Sequence, residues 1–259
     1  MEEKNYYLKN LPERDTKPRQ KGVTMVMDKG LSTREAEDLI ESSGEYIDMI
    51  KLGWATSYVS PHLKKKLDVY KNANIPFYFG GTLFEAFLIR GQIDDYRAVL
   101  DKYEMPLCEV SDGSIELNHD EKCKYIEMLS KQTRVLSEVG SKDAEKILAP
   151  YEWIELMNKE LAAGAWKVIG EAREAGNVGL FRDSGEVRQG LIKEIVRSVP
   201  SEKIIWEAPQ KSQQVWFIKM LGANVNLGNI ATNEVIPLET LRLGLRGDTF
   251  SHFLGENNP

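Results

Sequence analysis

Eight short apolar runs, each closed by a charged or glycine-bearing cluster and followed by an amphipathic stretch, predict a single-domain α/β protein with the (β/α)8 TIM-barrel architecture. The run ends read MVMDKG, MIKLGW, FYFGGT, CEVSDG, LSEVGSKD, IGEARE, IWEAP and NVNLGN. Their spacing of about thirty residues is the beat of alternating strand and helix. The runs are short, apolar and rich in β-branched residues, as strands buried on both faces should be. An open doubly wound sheet is the rival, but the count of eight favours closure, and no GxGxxG follows the first run.

The elements follow in order. Residues 1–21 are polar, carry Pro12 and Pro18, and read as an N-terminal arm; residues 22–259 form the barrel. The first strand covers 23–27. Ser32 then caps a helix, with Glu35 completing a capping box. The second strand is expected at 45–50, and Pro61 opens a helix running to Asn72. The third strand, 76–79, is broken by Gly80-Gly81, and a helical stretch over 83–103 has a hitch at Gly91. The fourth strand spans 107–110, and Asn118 or Asp120 caps the helix after it. The fifth strand spans 133–138, with a helix from Pro150 to about 163. The sixth strand, 166–170, leads into a long loop over 174–186 and a helix over 190–198. The seventh strand is 203–206, with a helix over 211–221. The eighth is expected at 224–227, with a last helix over 235–242.

Composition narrows the function classes. The chain has 259 residues, 42% hydrophobic and 29% charged. That balance is typical of a soluble globular domain able to bury a large core. A formal net charge of −6 argues against a general nucleic-acid binder. It does not exclude anionic substrates, because a few focused cations override net charge. No apolar stretch nears the ~20 residues of a membrane helix, and the charged start MEEKNYYLKN lacks a signal core. A cytoplasmic location without membrane partners is expected. Cys108 and Cys123 read as ordinary free thiols, and no Cys/His cluster suggests zinc.

In a barrel, strand C-termini share one face, so residues scattered along the chain converge there. Asp28, Lys51, Glu109, Glu138, Lys142, Glu171, Arg173, Glu207 and Asn226 are the expected group. Any one of the carboxylates Asp28, Glu109, Glu138, Glu171 and Glu207 has a structural reading as an ion pair or helix cap. Five together need counterions. Lys51, Lys142 and Arg173 supply part, and a hard cation such as Mg²⁺ would supply the rest. Two glycine turns, Gly80-Gly81-Thr82 and Asn226-Leu227-Gly228-Asn229, are candidate phosphate cradles, each expected between a strand and a helix. The histidines His62, His119 and His252 end no strand and suggest no base.

Taken in order, DKGLS, IKLGW, GGTLFE, EVSDG, SEVGSKD, EAREAGNVGLF, WEAPQKSQQ, NVNLGNI and LRLGLRGDTF resemble the phosphosulfolactate synthase family over roughly residues 22–250. The resemblance implies a (β/α)8 barrel that adds sulfite to phosphoenolpyruvate with Mg²⁺, forming (2R)-phospho-3-sulfolactate. In methanogens that product leads to coenzyme M. The resemblance also implies a homo-oligomer. It makes Lys142, in the turn after EVG, the expected proton donor, although Ser141-Lys142 stands where some relatives carry two lysines. Lys51 and Arg173 would bind substrate anions, and the strand-end carboxylates would hold or support the metal. Two other functions fit the same fold: another barrel lyase or isomerase acting on a phosphorylated enolate, with a lysine Schiff base as its mark, and a non-enzymatic stress protein.

Overall fold

The computed structural model describes residues 5–140, 148–172, 179–182 and 184–254. Eight parallel strands form one sheet: β1 (Thr24–Asp28), β2 (Met49–Leu52), β3 (Phe77–Phe79), β4 (Leu107–Val110), β5 (Arg134–Val139), β6 (Ala165–Gly170), β7 (Ile204–Glu207) and β8 (Leu227–Ala231). The order is β3-β2-β1-β8-β7-β6-β5-β4, and β3 lies against β4, so the sheet curls into a nearly closed barrel.

The helices are α1 (Thr33–Ser43), α2 (Thr56–Val59), α3 (Leu63–Asn72), α4 (Gly81–Leu88), α5 (Ile93–Lys102), α6 (His119–Ser130), α7 (Pro150–Ala162), α8 (Gln189–Ser198), α9 (Lys211–Leu221), α10 (Val235–Arg242) and α11 (Phe250–Leu254). The Ser32–Glu35 capping box is present, with Glu35 N–H donating to Ser32 Oγ at 3.3 Å and Ser32 N–H to Glu35 Oε2 at 2.8 Å. Asn118, not Asp120, caps α6, accepting from Asp120 N–H at 2.9 Å. The hitch at Gly91 is a full break between α4 and α5, taken at φ +67°. Glycine adopts that left-handed conformation at the least cost.

Three boundary differences from the sequence reading matter most, and each has a local cause. Residues 44–46 form a 3₁₀ turn, so β2 starts later than expected and Lys51 lies inside it. His62 takes a left-handed conformation, so α3 begins at Leu63 rather than at Pro61. The largest difference is β8. Asn226 accepts from Val23 N–H at 3.0 Å and donates to Ile204 O at 3.0 Å, stitching the strand starts together. The strand therefore begins where it was expected to end, and Gly228 and Asn229 lie within it. Between Thr24↔Leu227 and Val26↔Ile230, β8 has one residue more than β1. This is a bulge, and within it Asn229 takes φ 55°.

Register decides which side chains enter the barrel, because laterally paired residues of parallel strands share a face. Met27, Lys51 and Tyr78 form one paired row. Asp28, Leu52 and Phe79 form the alternate row, which faces the helices.

At the floor, the N-terminal arm is pinned across the strand starts. Arg14 meets Glu239 at 3.0 Å, and Arg19 meets Asp48 at 3.2 Å. The fully buried Arg242 donates to Ala223 O at 2.6 Å, Val225 O at 2.7 Å and Val23 O at 3.3 Å. Among the described residues, no helix is long and apolar enough to cross a membrane.

Candidate active site

Three glutamates from three strands meet one lysine inside the upper barrel, and a fourth lies beside them. Lys51 Nζ lies 3.0 Å from Glu109 Oε1, 3.3 Å from Glu207 Oε1 and 3.4 Å from Glu138 Oε2. Glu171, just past the end of β6, joins Glu138 and Glu207 in a group whose carboxylate oxygens lie within 4.8 Å of one another. All four carboxylates are buried.

Backbone donors hold two of them. Gly81 N–H, at the start of α4, donates to Glu109 Oε1 at 2.6 Å, and Ala172 N–H donates to Glu207 Oε2 at 2.9 Å. The first bond also closes the seam between β3 and β4, which no strand ladder bridges among the described residues. Beside it, Ser111 Oγ donates to the buried Glu85 at 2.5 Å.

The electrostatics follow from crowding. Burial works against the Lys51 charge, but Glu109, Glu207 and Glu138 outweigh it and hold the ammonium well above its ordinary range. Burial pushes Glu207 up to about 7, against the pull of Lys51 and with added repulsion from Glu138 and Glu109. Glu109 is raised for the same reasons. Burial, then Glu109, raises the Tyr78 hydroxyl well above its usual value, so it stays protonated.

This donor set suits a divalent hard cation. Among the described residues, Glu109, Glu138 and Glu207 share one ammonium, and Glu171 lies beside two of them. Two oxygens on one Mg²⁺ lie at most about 4.2 Å apart. Glu138, Glu171 and Glu207 each offer one oxygen within 4.8 Å of the others, so an inward movement of their side chains would bring them onto one ion.

The structure therefore brings together Lys51, Glu109, Glu138, Glu171 and Glu207. It does not bring Asp28 to them. Asp28 lies on the outward row, where Lys66 Nζ sits 2.7 Å away and the Tyr70 hydroxyl donates at 3.0 Å, both from α3. Its other oxygen accepts from Gly30 and Leu31 N–H, each at 2.7 Å. Asn226 is corrected to the barrel floor, because its amide bonds the strand starts.

Gly80 and Gly81 have a packing role. A Cβ on Gly81 would run into Ser111 and come within 2.9 Å of Glu109 Oε1, and one on Gly80 would lie 3.0 Å from Lys51 Cε. Only glycine lets α4 approach the cluster, while Thr82 is exposed. Gly228 pairs with Glu207, and a Cβ there would meet Met25 Cε at 2.5 Å. The buried Asn229 follows it in the bulge. Lys142, Arg173 and much of the 174–186 loop lie outside the described residues. Sequence reasoning missed Tyr78, Glu85 and Ser111. Tyr78 could have been found from its position two residues before the Gly80-Gly81 turn, had the inward phase of β3 been known.

Known proteins place this geometry. The family model for (2R)-phospho-3-sulfolactate synthase (ComA) matches residues 12–248. The chain is 43% identical over 244 residues to a phosphosulfolactate synthase of Methanothermobacter thermautotrophicus, covering 92% of this chain and 95% of that protein. It is 40% identical over 249 residues to one from Bacillus subtilis, covering 95% and 99%. Among solved structures, a 3-hexulose-6-phosphate synthase superposes with a TM-score of 0.55 at 15% identity, covering 85% of this chain and 99% of that one, a likeness of fold alone. The chain belongs to the (2R)-phospho-3-sulfolactate synthase family, enzymes that form a carbon–sulfur bond.

Proposed function

We propose that the glutamate–lysine cluster is the place where sulfite is added to phosphoenolpyruvate with Mg²⁺, giving (2R)-phospho-3-sulfolactate. The observation that carries this reading is the cluster of four buried glutamates, of which Glu109, Glu138 and Glu207 pair with Lys51 and Glu138, Glu171 and Glu207 lie within reach of one ion. Glu138, Glu171 and Glu207 would hold Mg²⁺. When bound, it acts as a Lewis acid and template for the substrate carboxylate.

The chain's own residues do the rest. Sulfur attacks the methylene carbon, the double-bond electrons move toward the carboxylate, and a proton must then reach the phosphate-bearing carbon. Lys51 presents a fixed positive charge to the anionic substrates. Its three carboxylate neighbours keep it protonated, which suits an electrostatic partner and opposes Schiff-base formation. We assign the proton to Lys142 and a substrate anion to Arg173, on the strength of the family resemblance of SEVGSKD, which runs out of β5, and EARE, which follows β6. Holding two mutually repelling anions together is much of the task, worth up to ~7–11 kcal/mol for ideal orientation. The reading carries with it a cytoplasmic homo-oligomer.

The test is consumption of phosphoenolpyruvate by purified protein. It should require both sulfite and Mg²⁺ and stop in EDTA. Turnover without sulfite, or undiminished turnover in EDTA, would overturn the respective part.

A further inference from the structure

Behind the cluster, on the helix side of the barrel wall, lies a second buried ionic group that the chemistry above does not use. Lys122 of α6 is 2% exposed at its side chain, and its Nζ meets Asp112 Oδ1 at 2.8 Å and Glu160 Oε1 of α7 at 2.9 Å. Its third bond goes to the backbone carbonyl of Glu138, at 2.6 Å. Burial works against the Lys122 charge, and Glu160 and Asp112 outweigh it, so the ammonium persists. His119 Nε2 approaches Glu160 Oε1 at 3.3 Å from the same side.

The third bond falls where the sheet runs out. The β4–β5 register ends at Val110↔Ser137, one residue short of Glu138. There the lysine supplies a donor in place of a strand. A cavity of about 450 Å³ adjoins this strand end, lined by Asp112, His119, Lys122, Val139, Gly140 and Glu160 among others. Glu138 thus has its carboxylate on Lys51 inside the barrel and its carbonyl on Lys122 outside.

We propose that Lys122 is a positioning residue for the active site: its grip on the Glu138 carbonyl, anchored by Asp112 and Glu160, sets where the Glu138 carboxylate meets Lys51, Glu171 and Glu207. The inference rests on the metal assignment above for one of its two readouts. A merely structural lysine would change stability and leave ion affinity and turnover alone.

The experiment uses the full chain with Lys122→Met and Glu160→Gln combined, which removes the buried pair with little change in volume. Mn²⁺ is the metal probe, read by electron paramagnetic resonance, alongside kcat and KM for phosphoenolpyruvate. The expected result is a Kd for Mn²⁺ raised about 10–100-fold, the usual effect of losing a group that orients a metal ligand. The kcat should fall by a similar factor, and KM should change less. Wild-type Kd and kcat in the folded variant would overturn the proposal. If wild type binds no Mn²⁺ but the variant still loses kcat, the metal assignment fails and the role of Lys122 stands. Should the double variant not fold, Lys122→Arg keeps the charge and displaces the grip. It should lower kcat and Mn²⁺ affinity at an unchanged melting temperature, and wild-type values of both would equally overturn the proposal.

Discussion

The two ends of the barrel bury charge in opposite ways. At the top, Lys51 is surrounded by glutamates, and burial, with added repulsion from Glu138 and Glu109, holds Glu207 above its ordinary range despite the ammonium. At the floor, Arg242, Lys167 and Asn226 donate to backbone carbonyls at the strand starts and in the segments leading into them. A charge tied to backbone oxygens completes the fold. A cluster of like charges strains it and is kept where a ligand will relieve the strain. This matches the general division of such barrels into a catalytic face and a stability face.

The sharpest way to break the contrast is Lys51→Met. It strips the top of its central cation, and kcat should fall at least about 10²–10³-fold, as when one electrostatic partner of a reacting charge is lost. Thermal melting should also report a cost of about 3–5 kcal/mol if the glutamates stay ionised. The floor counterpart is Arg242→Met, which takes a donor from three carbonyls; Val23 O keeps Leu227 N–H and Ala223 O keeps Arg14, so Val225 O bears the main loss. Stability should drop by at least the about 1–3 kcal/mol of one unsatisfied buried group, while kcat per folded molecule stays within about threefold of wild type. Loss of turnover in the folded Arg242 variant, or full activity in the Lys51 variant, would erase the distinction.

The pH dependence should differ in sign between the two ends. Glu207 binds its proton more tightly when folded, at about 7 against an ordinary 4.5. The folded state therefore holds more protons between these values, and the metal-free protein should lose stability as pH rises from about 4.5 to 7, by about 3 kcal/mol. Melting curves of Glu207→Gln should lack that slope, and Mg²⁺ should restore wild-type stability near neutrality. At the floor, burial and then Lys203 lower Lys167 to about 8 from 10.5, so the folded state gives up its proton first. Stability should rise with pH over that alkaline window; the shift is as wide as that of Glu207, and solvent screening around the less enclosed ammonium makes it the smaller effect. Lys167→Met should remove it.

The strand-end positions of Lys51, Glu109, Glu138, Glu171 and Glu207 were legible, because each closes an apolar run and barrel geometry gathers such ends. Asp28 was legible as a strand end and not as an outward one. Both faces of a parallel strand are apolar, so hydrophobicity carries no period-two signal to say which residue faces in. The eighth strand slipped for a related reason. NVNLGN contains turn-forming residues, yet Asn224 and Asn226 are spent on the floor and Asn229 in a bulge.

Local chemistry along the chain therefore determined the alternation of eight strands and eight helical stretches, the capping of α1 and α6, the break at Gly91 and the family. Register alone decided which carboxylates share Lys51. Contacts across long sequence separations decided that Glu109 closes the seam through Gly81, and that Lys122 reaches Glu138 through the wall. Capping and periodicity act within a few residues. The inward phase of a strand and the partner of a buried charge exist only once distant segments have packed.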